Sequence, residues 1–188
     1  MTPYKLYIQP LSYNGRSYFR GTTRDTFESW GIVCSKSAFR YYGDPKDVAS
    51  RNWLDEHGED VYIPSAVKVK KFDAEFTFLC NGPENVVKYN VRQFHRFLMG
   101  MSWTYKDGRS DITVSAEGAR LALYDTYNSL GWKDVRLKSF STDGLVMDNS
   151  DDEIVLEFKV VFEVFDPYSA VSVALRHGTS EIDLVWTA

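Results

Sequence analysis

The sequence predicts a mainly β protein with one flanking α-helix, in which the strands form a β-sandwich or a β-barrel-like sheet. Short segments of alternating apolar and polar residues recur along the chain, and Asn-Gly and Asp-Gly pairs, which favour tight β-turns, separate several of them. Aromatic residues, which are frequent in strands, make up 15% of the chain. One long stretch, residues 81–100, has the apolar spacing of a helix instead.

The predicted helix is amphipathic and carries signals at both ends. Its apolar face is formed by Val87, Val91, Phe94 and Leu98. Asn81 is a candidate cap, and Pro83 suits the first helical position because its missing N–H would be unpaired there. Gly100 allows the left-handed conformation that ends many helices. We therefore expect the helix to pack on one sheet through its apolar face.

The N-terminal part of the chain predicts a hairpin followed by another strand. Residues 4–8 alternate as a strand. The pair Asn14-Gly15 predicts a tight turn, after which residues 17–20 return. Three large apolar residues beyond this hairpin are expected to anchor the core at the start of the next strand: Phe27, Trp30 and Ile32.

Residues 43–60 differ from the rest of the chain and predict a protruding polar arm. Charged and amide side chains crowd this segment, and polar loops of such length are usually functional. Trp53 and Leu54 lie inside it, where exposure of large apolar side chains to water is unfavourable. The candidate subunit interface of the arm is formed by Asp47, Arg51, Trp53, Leu54 and Asp55.

The remaining chain predicts further strands on both sides of the helix. Strand patterns cover residues 61–64, 67–72, 74–80, 102–105, 111–114, 134–140, 171–175 and 182–186. Turn signals lie at Asp107-Gly108, Asp143-Gly144 and Gly178. Residues 119–125 are compatible with a strand or a helix, because the surrounding side chains also favour helices.

Residues 153–165 predict the central strand of the sheet. One face is uniformly apolar and comprises Ile154, Leu156, Phe158, Val160, Phe162 and Val164. The opposite face mixes charged and apolar side chains, among them Glu157, Val161 and Glu163. A strand that is covered fully on one face and partly on the other is typical of a central position.

Composition and charge limit the classes of function. With 188 residues, of which 44% are hydrophobic, the chain suits a single domain, residues 1–188, with its own core. A net charge of −4 provides no basic field for nucleic acid. No apolar run is long enough to span a bilayer, and the N-terminus lacks the apolar segment of a signal peptide, so we expect synthesis and retention in a cytoplasm.

No pattern of residues predicts catalysis, a cofactor or a bound metal. The best candidate is the cluster at residues 55–60, where carboxylates flank His57, but it has neither the two-histidine spacing of a zinc protease nor a calcium-loop pattern. We expect a solvated acidic turn there. Cys34 and Cys80 lack the spacing of metal ligands and fit two buried thiols, with a disulfide as the alternative.

Cationic and imidazole side chains on the polar face of the predicted helix are a second candidate site. Lys88, Arg92 and Arg96 would suit contact with phosphate, and His95 lies among them. Three charges on a helix surface are more often a solvated face, and we expect that outcome. The sequence therefore predicts a protein that is not an enzyme.

The order of the predicted elements is shared with a known family of structural proteins. An N-terminal hairpin leads through the polar arm to a strand ending at residues 76–78, and this strand enters a single helix ending at residues 97–100. Strands around residues 123–125, 135–137 and 158–162 follow, and the last ends at Asp166-Pro167. Over roughly residues 26–167, this order resembles the distal tail proteins of long-tailed bacteriophages and prophages, and more broadly tail-tube-like subunits.

The resemblance implies a structural role. Proteins of this family form closed rings, often hexamers, around the channel of a virion tail, in contact with other tail proteins. The chain is thus expected to be a homo-oligomeric ring component of a virion tail, made in the host cytoplasm. DNA passes such a channel without specific binding, which suits an acidic subunit because like charges repel. The arm with Trp53 is expected to reach a neighbouring subunit.

Two other classes of function are open at the level of sequence. One is a β-sandwich binding or adhesion module with exposed Tyr and Trp side chains as contacts. The other is a hydrolase that uses His57 and nearby carboxylates. The solution mass separates a ring protein from a binding module, and a metal and activity screen separates it from a hydrolase.

Overall fold

The computed structural model describes residues 5–13, 18–38, 43–52, 59–62, 64–107, 110–142, 146–149, 153–167, 171–175 and 181–186. The strands are β1 (Leu6–Tyr13), β2 (Tyr18–Arg20), β3 (Arg24–Asp25), β4 (Ile32–Lys36), β5 (Ser50–Asn52), β6 (Glu59–Val61), β7 (Phe72–Pro83), β8 (Trp103–Asp107), β9 (Ser110–Val114), β10 (Arg120–Asp125), β11 (Leu130–Ser141), β12 (Val146–Asn149), β13 (Glu153–Val164), β14 (Val171–Leu175) and β15 (Ile182–Trp186). The helices are α1 (Thr26–Trp30) and α2 (Glu84–Leu98).

The main sheet is antiparallel and curls into a half-barrel. Its strand order is β2-β1-β10-β11-β13-β7-β4, with β3 beside β1 and β12 beside β13. The predicted central strand, β13, pairs with β7 along its whole length and with β11 and β12 on its other edge. The predicted fold class, mainly β with one long flanking helix, is confirmed, and the strands take the barrel-like form.

Helix α2 packs on the sheet through the face that its periodicity predicts. Val87, Val91, Phe94 and Leu98 are all buried, and Gly100 adopts a φ of 69° just beyond the helix. Two predicted details of the helix start are wrong. Pro83 is the N-cap and not the first helical residue, and Asn81 belongs to β7, because β7 stays paired with β13 up to Pro83.

A short helix replaces the strand predicted around Phe27. The carboxylate of Asp25 accepts hydrogen bonds from the backbone N–H groups of Phe27 and Glu28, at 2.8 and 3.4 Å, and so caps α1. Gly31 ends it with a φ of 66°. Trp30 and Ile32 are buried as predicted, but Phe27 is 48% exposed because the helix turns its side chain outward.

Pairing on both edges makes residues 120–125 a strand and not a helix. Strand β10 lies between β1 and β11. Leu121 and Leu123 join the main core, whereas Ala122 faces the other side, where Leu184 of the C-terminal β14–β15 hairpin covers it. The predicted hairpins β1–β2 and β8–β9 are confirmed, and the two strands predicted about Gly178, β14 and β15, pair with each other. The turn residues Asn14, Gly15, Gly108, Asp143, Gly144 and Gly178 lie outside the described residues.

The main core is aromatic and holds both thiols. The ring of Phe94 lies 5.1 Å from that of Trp30 and 5.6 Å from that of Phe78. Cys34 and Cys80 are both buried and are not joined by a disulfide, so the interpretation as two thiols is confirmed. Burial raises the pKa of the Cys80 thiol to about 11, which keeps it neutral and unreactive.

A buried polar cluster ties the end of β4 to the end of β10. Asp125 is fully buried and accepts hydrogen bonds from the hydroxyl of Ser37, from the Asn128 amide at 2.7 Å and from the Tyr127 N–H at 2.8 Å. The Asn128 amide also donates to Ser37, at 2.6 Å. Because β4 and β10 are not neighbours in the sheet, this cluster helps to hold its curl.

The outer face of β13 carries a buried carboxylate, Glu163, that makes stability depend on pH. Its partners are Lys71 and Arg136, whose Nε lies 2.8 Å away. The hydrogen bond from Lys71 and that from Arg136 lower the pKa of Glu163 below its usual value of 4.5, against the opposing effect of burial. The ionised carboxylate therefore stabilises the folded chain above pH 4.5. This contribution to the free energy of unfolding is lost as the pH falls through the lowered pKa of Glu163 in the folded state.

We expect Glu163→Gln to lower the melting temperature at pH 7, and the difference from the wild-type chain to narrow as the pH falls below 4.5 and through the lowered pKa of the wild-type carboxyl. Thermal melts followed by circular dichroism measure the melting temperatures of the variant and the wild-type chain at each pH. Glu75→Gln is the matched control, because Glu75 is exposed and pairs with Lys159 at 3.4 Å, so little change is expected. A difference for Glu163→Gln that stays constant with pH would contradict the assignment.

Candidate functional site

The polar arm is an antiparallel pair of chain segments. Its first leg is residues 43–52 and its returning leg begins at β6. The returning leg continues to residue 71, so the arm is longer than the predicted range of 43–60. Two further strands were predicted at residues 61–64 and 67–72. The described residues of these segments contain only the end of β6, one bridge between Pro45 and Val69, and the start of β7.

Backbone hydrogen bonds hold the two legs together. Lys46 N–H donates to the carbonyl of Lys68 and Lys70 N–H donates to that of Asp44, both at 2.7 Å. Farther out, Tyr62 N–H donates to the carbonyl of Ala49 at 2.9 Å, next to the β5–β6 pair. The arm is therefore an ordered β-hairpin over these residues, and it forms its own two-stranded sheet apart from the main one.

The arm exposes apolar side chains on both legs. Tyr62 is 72% exposed, and Val48 and Val67 are exposed as well. Each of these side chains would gain free energy on transfer out of water. The outer backbone edges of β5 and β6 pair with no other strand among the described residues. Unpaired edges beside apolar side chains are features of a surface that another chain can cover.

One ion pair at the base of the arm uses a residue that we predicted to face a partner. Asp47 lies 2.9 Å from the ammonium group of Lys70 on the other leg. Both side chains are exposed, and such pairs contribute only about 0.2–1 kcal/mol. Asp47 thus links the two legs. The role of Lys70 could not be predicted, because nothing in the local sequence reveals which residue lies across a hairpin.

The other predicted interface residues are only partly described. Arg51 lies in β5, where it pairs with Asp60 of β6. Trp53, Leu54 and Asp55 lie outside the described residues, as does His57 of the acidic cluster. Tyr62, Val48 and Val67 are interface candidates that the sequence analysis did not select, although the alternation of Val67 and Val69 was a local signal.

The cationic face of α2 is partly used within the chain. Lys88 pairs with Glu84 one helical turn away, and Arg96 donates from Nε to the carbonyl of Ser102 at 2.8 Å. The ring of His95 packs on the ring of Phe140 with centroids 4.9 Å apart. These contacts favour a structural role for this face. Within the described ranges, no three His, Cys, Asp or Glu side chains are placed to share a metal ion.

Comparisons with known proteins add no family. No protein-family model matches the chain. No curated protein matches it either. None of the described helices has the length and apolar character needed to cross a membrane.

Proposed function

We propose that this protein is a structural subunit of a bacteriophage or prophage tail, either a distal tail protein or a tail-tube-like ring component, and that it acts by self-assembly. The observation that carries the proposal is the arm, which has legs joined by backbone hydrogen bonds, exposed apolar side chains, and outer strand edges that pair with no other strand in the described part of the chain. The order of the strands and helix, which resembles that of tail subunits, supplies the class of assembly.

The arm suits contact with a neighbouring copy of the chain for a physical reason. A two-stranded hairpin alone is marginally stable in water, so a second chain that covers it stabilises both partners. In a head-to-tail ring each subunit gives one arm and receives one, which closes the assembly without free arms. The net charge of −4 suits the wall of a channel through which DNA passes without binding.

Excision of the arm tests this proposal. Pro45 and Val69 face each other across the two legs, so residues 46–68 can be replaced by Gly-Gly without separating the flanking chain. We expect the shortened chain to keep its cooperative thermal transition, and its mass by light scattering to fall from that of a ring to that of one subunit. A shortened chain that still assembles, or one that no longer folds, would contradict the proposal, as would a wild-type chain that stays monomeric.

A single substitution gives a finer version of the same test. Tyr62→Ser on the arm is expected to weaken assembly, because it removes an apolar surface that a neighbour would cover. Tyr127→Ser is the matched control, since Tyr127 is also 72% exposed but lies in the turn between β10 and β11 and in neither leg of the arm. Equal effects of the two substitutions on the concentration at which the ring dissociates would argue against a contact through the arm.

A further inference from the structure

A polar cavity of about 620 Å³ lies on the side of β1 that faces away from the main core. Its walls come from β1, from the connection between β2 and β3, and from β15. They include Tyr7, Gln9, Arg20, Thr22, Thr23 and Asp183. Its volume is within the range usual for small-molecule sites. The cavity contributes nothing to the arm and has no role in the proposed assembly.

Two buried polar side chains in the cavity wall have unused hydrogen-bonding capacity. Gln9 is 2% exposed, and its Nε2 donates to the carbonyl of Gly21 at 3.0 Å and to Asp183 Oδ1 at 2.6 Å. Both N–H groups are thus used, while Gln9 Oε1 has no partner among the described residues. Tyr7 is 7% exposed, and no hydrogen bond of its hydroxyl occurs in that part of the chain. A buried polar atom without a partner, such as Gln9 Oε1, is rare, whereas the Tyr7 hydroxyl, which is not among such buried atoms, is open to the cavity.

Several charged side chains of the cavity wall contact groups of opposite charge. Arg20 donates to the carbonyl of Leu184 at 3.2 Å, lies 4.0 Å from Asp183 and stacks on the ring of Trp186 at 4.1 Å. The side chain of Glu28, also in the wall, contacts the ammonium group of Lys5 at 2.6 Å. Glu181 is a further acidic residue of the wall, so carboxylates outnumber cationic groups there and the cavity opposes the entry of an anion.

Burial also keeps the Tyr7 phenol protonated. It raises the pKa of Tyr7 above its usual value, so the hydroxyl can donate as well as accept a hydrogen bond near neutral pH. The wall thus combines hydroxyl groups on Tyr7, Thr22 and Thr23, which donate and accept, with the free amide oxygen of Gln9, which accepts.

From this arrangement we propose that the cavity binds a small, neutral, polyhydroxylated molecule of the size of a mono- or disaccharide. Each hydroxyl of such a ligand both donates and accepts, which matches the mixed wall, and a ligand without an anionic group avoids repulsion by the excess of wall carboxylates. The proposal is independent of assembly, since the cavity is formed within one chain.

Titration of the full-length protein with glucose, N-acetylglucosamine and maltose, followed by amide chemical shifts, tests the proposal. At least one saccharide is expected to give saturable shifts at Gly21, Thr22 and Asp183, with a dissociation constant of about 1 mM. Sodium phosphate and spermidine serve as charged probes. Absence of saturable shifts with all three saccharides overturns the proposal, and so do shifts at these amides with a charged probe alone.

The substitution Tyr7→Phe supplies the matched test of the site. It removes a hydroxyl that has no partner in the described part of the chain, so folding is expected to be unaffected while saccharide binding weakens about three- to tenfold. Tyr127→Phe removes an exposed hydroxyl outside the cavity and is expected to leave binding unchanged. If Tyr7→Phe and the wild-type chain bind the saccharide with equal affinity, the assignment of the cavity as the saccharide site is overturned.

Discussion

Phe94→Ala is expected to lower the free energy of unfolding by about 3–5 kcal/mol, the usual effect of emptying a buried aromatic site. Phe94 is fully buried at the contact between α2 and the sheet. Its ring contacts Trp30 and Phe78, and it lies 6.3 Å from Phe140 and from Phe158, on strands β11 and β13. The surrounding rings cannot collapse into the space, because rigid strands hold several of them.

Denaturant melts of Phe94→Ala measure this loss. Phe27→Ala is the matched control, since the same side chain is removed from a position on α1 that is 48% exposed, and we expect less than about 1 kcal/mol there. Equal losses from the two substitutions would mean that α2 does not dock through Phe94.

Gly100→Ala is expected to lower the free energy of unfolding by about 2–4 kcal/mol, for two reasons. At a φ of 69° an alanine adopts a left-handed conformation that its Cβ disfavours. That Cβ would also lie 2.4 Å from the backbone nitrogen of Ala119 and 2.5 Å from the carbonyl carbon of Gly118, and backbone cannot move aside as a side chain does. The end of α2 and the start of β10 would have to separate.

Gly31→Ala separates the two contributions. Gly31 has nearly the same φ, 66°, but a Cβ there would meet nothing closer than the Asn90 side chain at 3.9 Å. Only the conformational term remains, about 1 kcal/mol. Thermal or denaturant melts of both variants give their losses in free energy of unfolding. The difference between the two losses measures the cost of the contact between the added Cβ at position 100 and the backbone of residues 118–119. Similar losses for Gly31→Ala and Gly100→Ala would show that the contact with residues 118–119 relaxes without cost.

The proposed assembly and the proposed ligand site can be tested separately. The arm enters the fold between β4 and β7, at one end of the strand order of the main sheet, whereas the cavity lies beside β1 and β2 at the other end. Removal of residues 46–68 therefore leaves every wall residue of the cavity in place. A variant that loses assembly but keeps saccharide binding would agree with both proposals.

Local periodicity determined the elements whose signals lie within one segment. The apolar spacing of Val87, Val91, Phe94 and Leu98 requires only one helix and one apolar partner, and these residues are buried as expected. The alternation of β13 likewise defined its buried face, and the crowding of polar residues after Gly43 defined the arm. In the helix and in β13, the periodicity of the backbone itself places the apolar side chains on one face.

Other features depend on contacts between distant residues, which no local pattern contains. Residues 119–125 were compatible with a strand or a helix until pairing with β1 and β11 decided between them. The side chain of Phe27 turned outward because the cap at Asp25 and the left-handed Gly31 favour one turn of helix.

The candidate sites are the least local features of all. Lys70 meets Asp47 across the arm, 23 positions away, and Gln9 meets Asp183 across 174 positions. The sequence could show that such side chains exist and that a polar arm protrudes. Only the folded chain decides which of them lie side by side, because the free energy of packing and strand pairing, and not local preference, selects those neighbours.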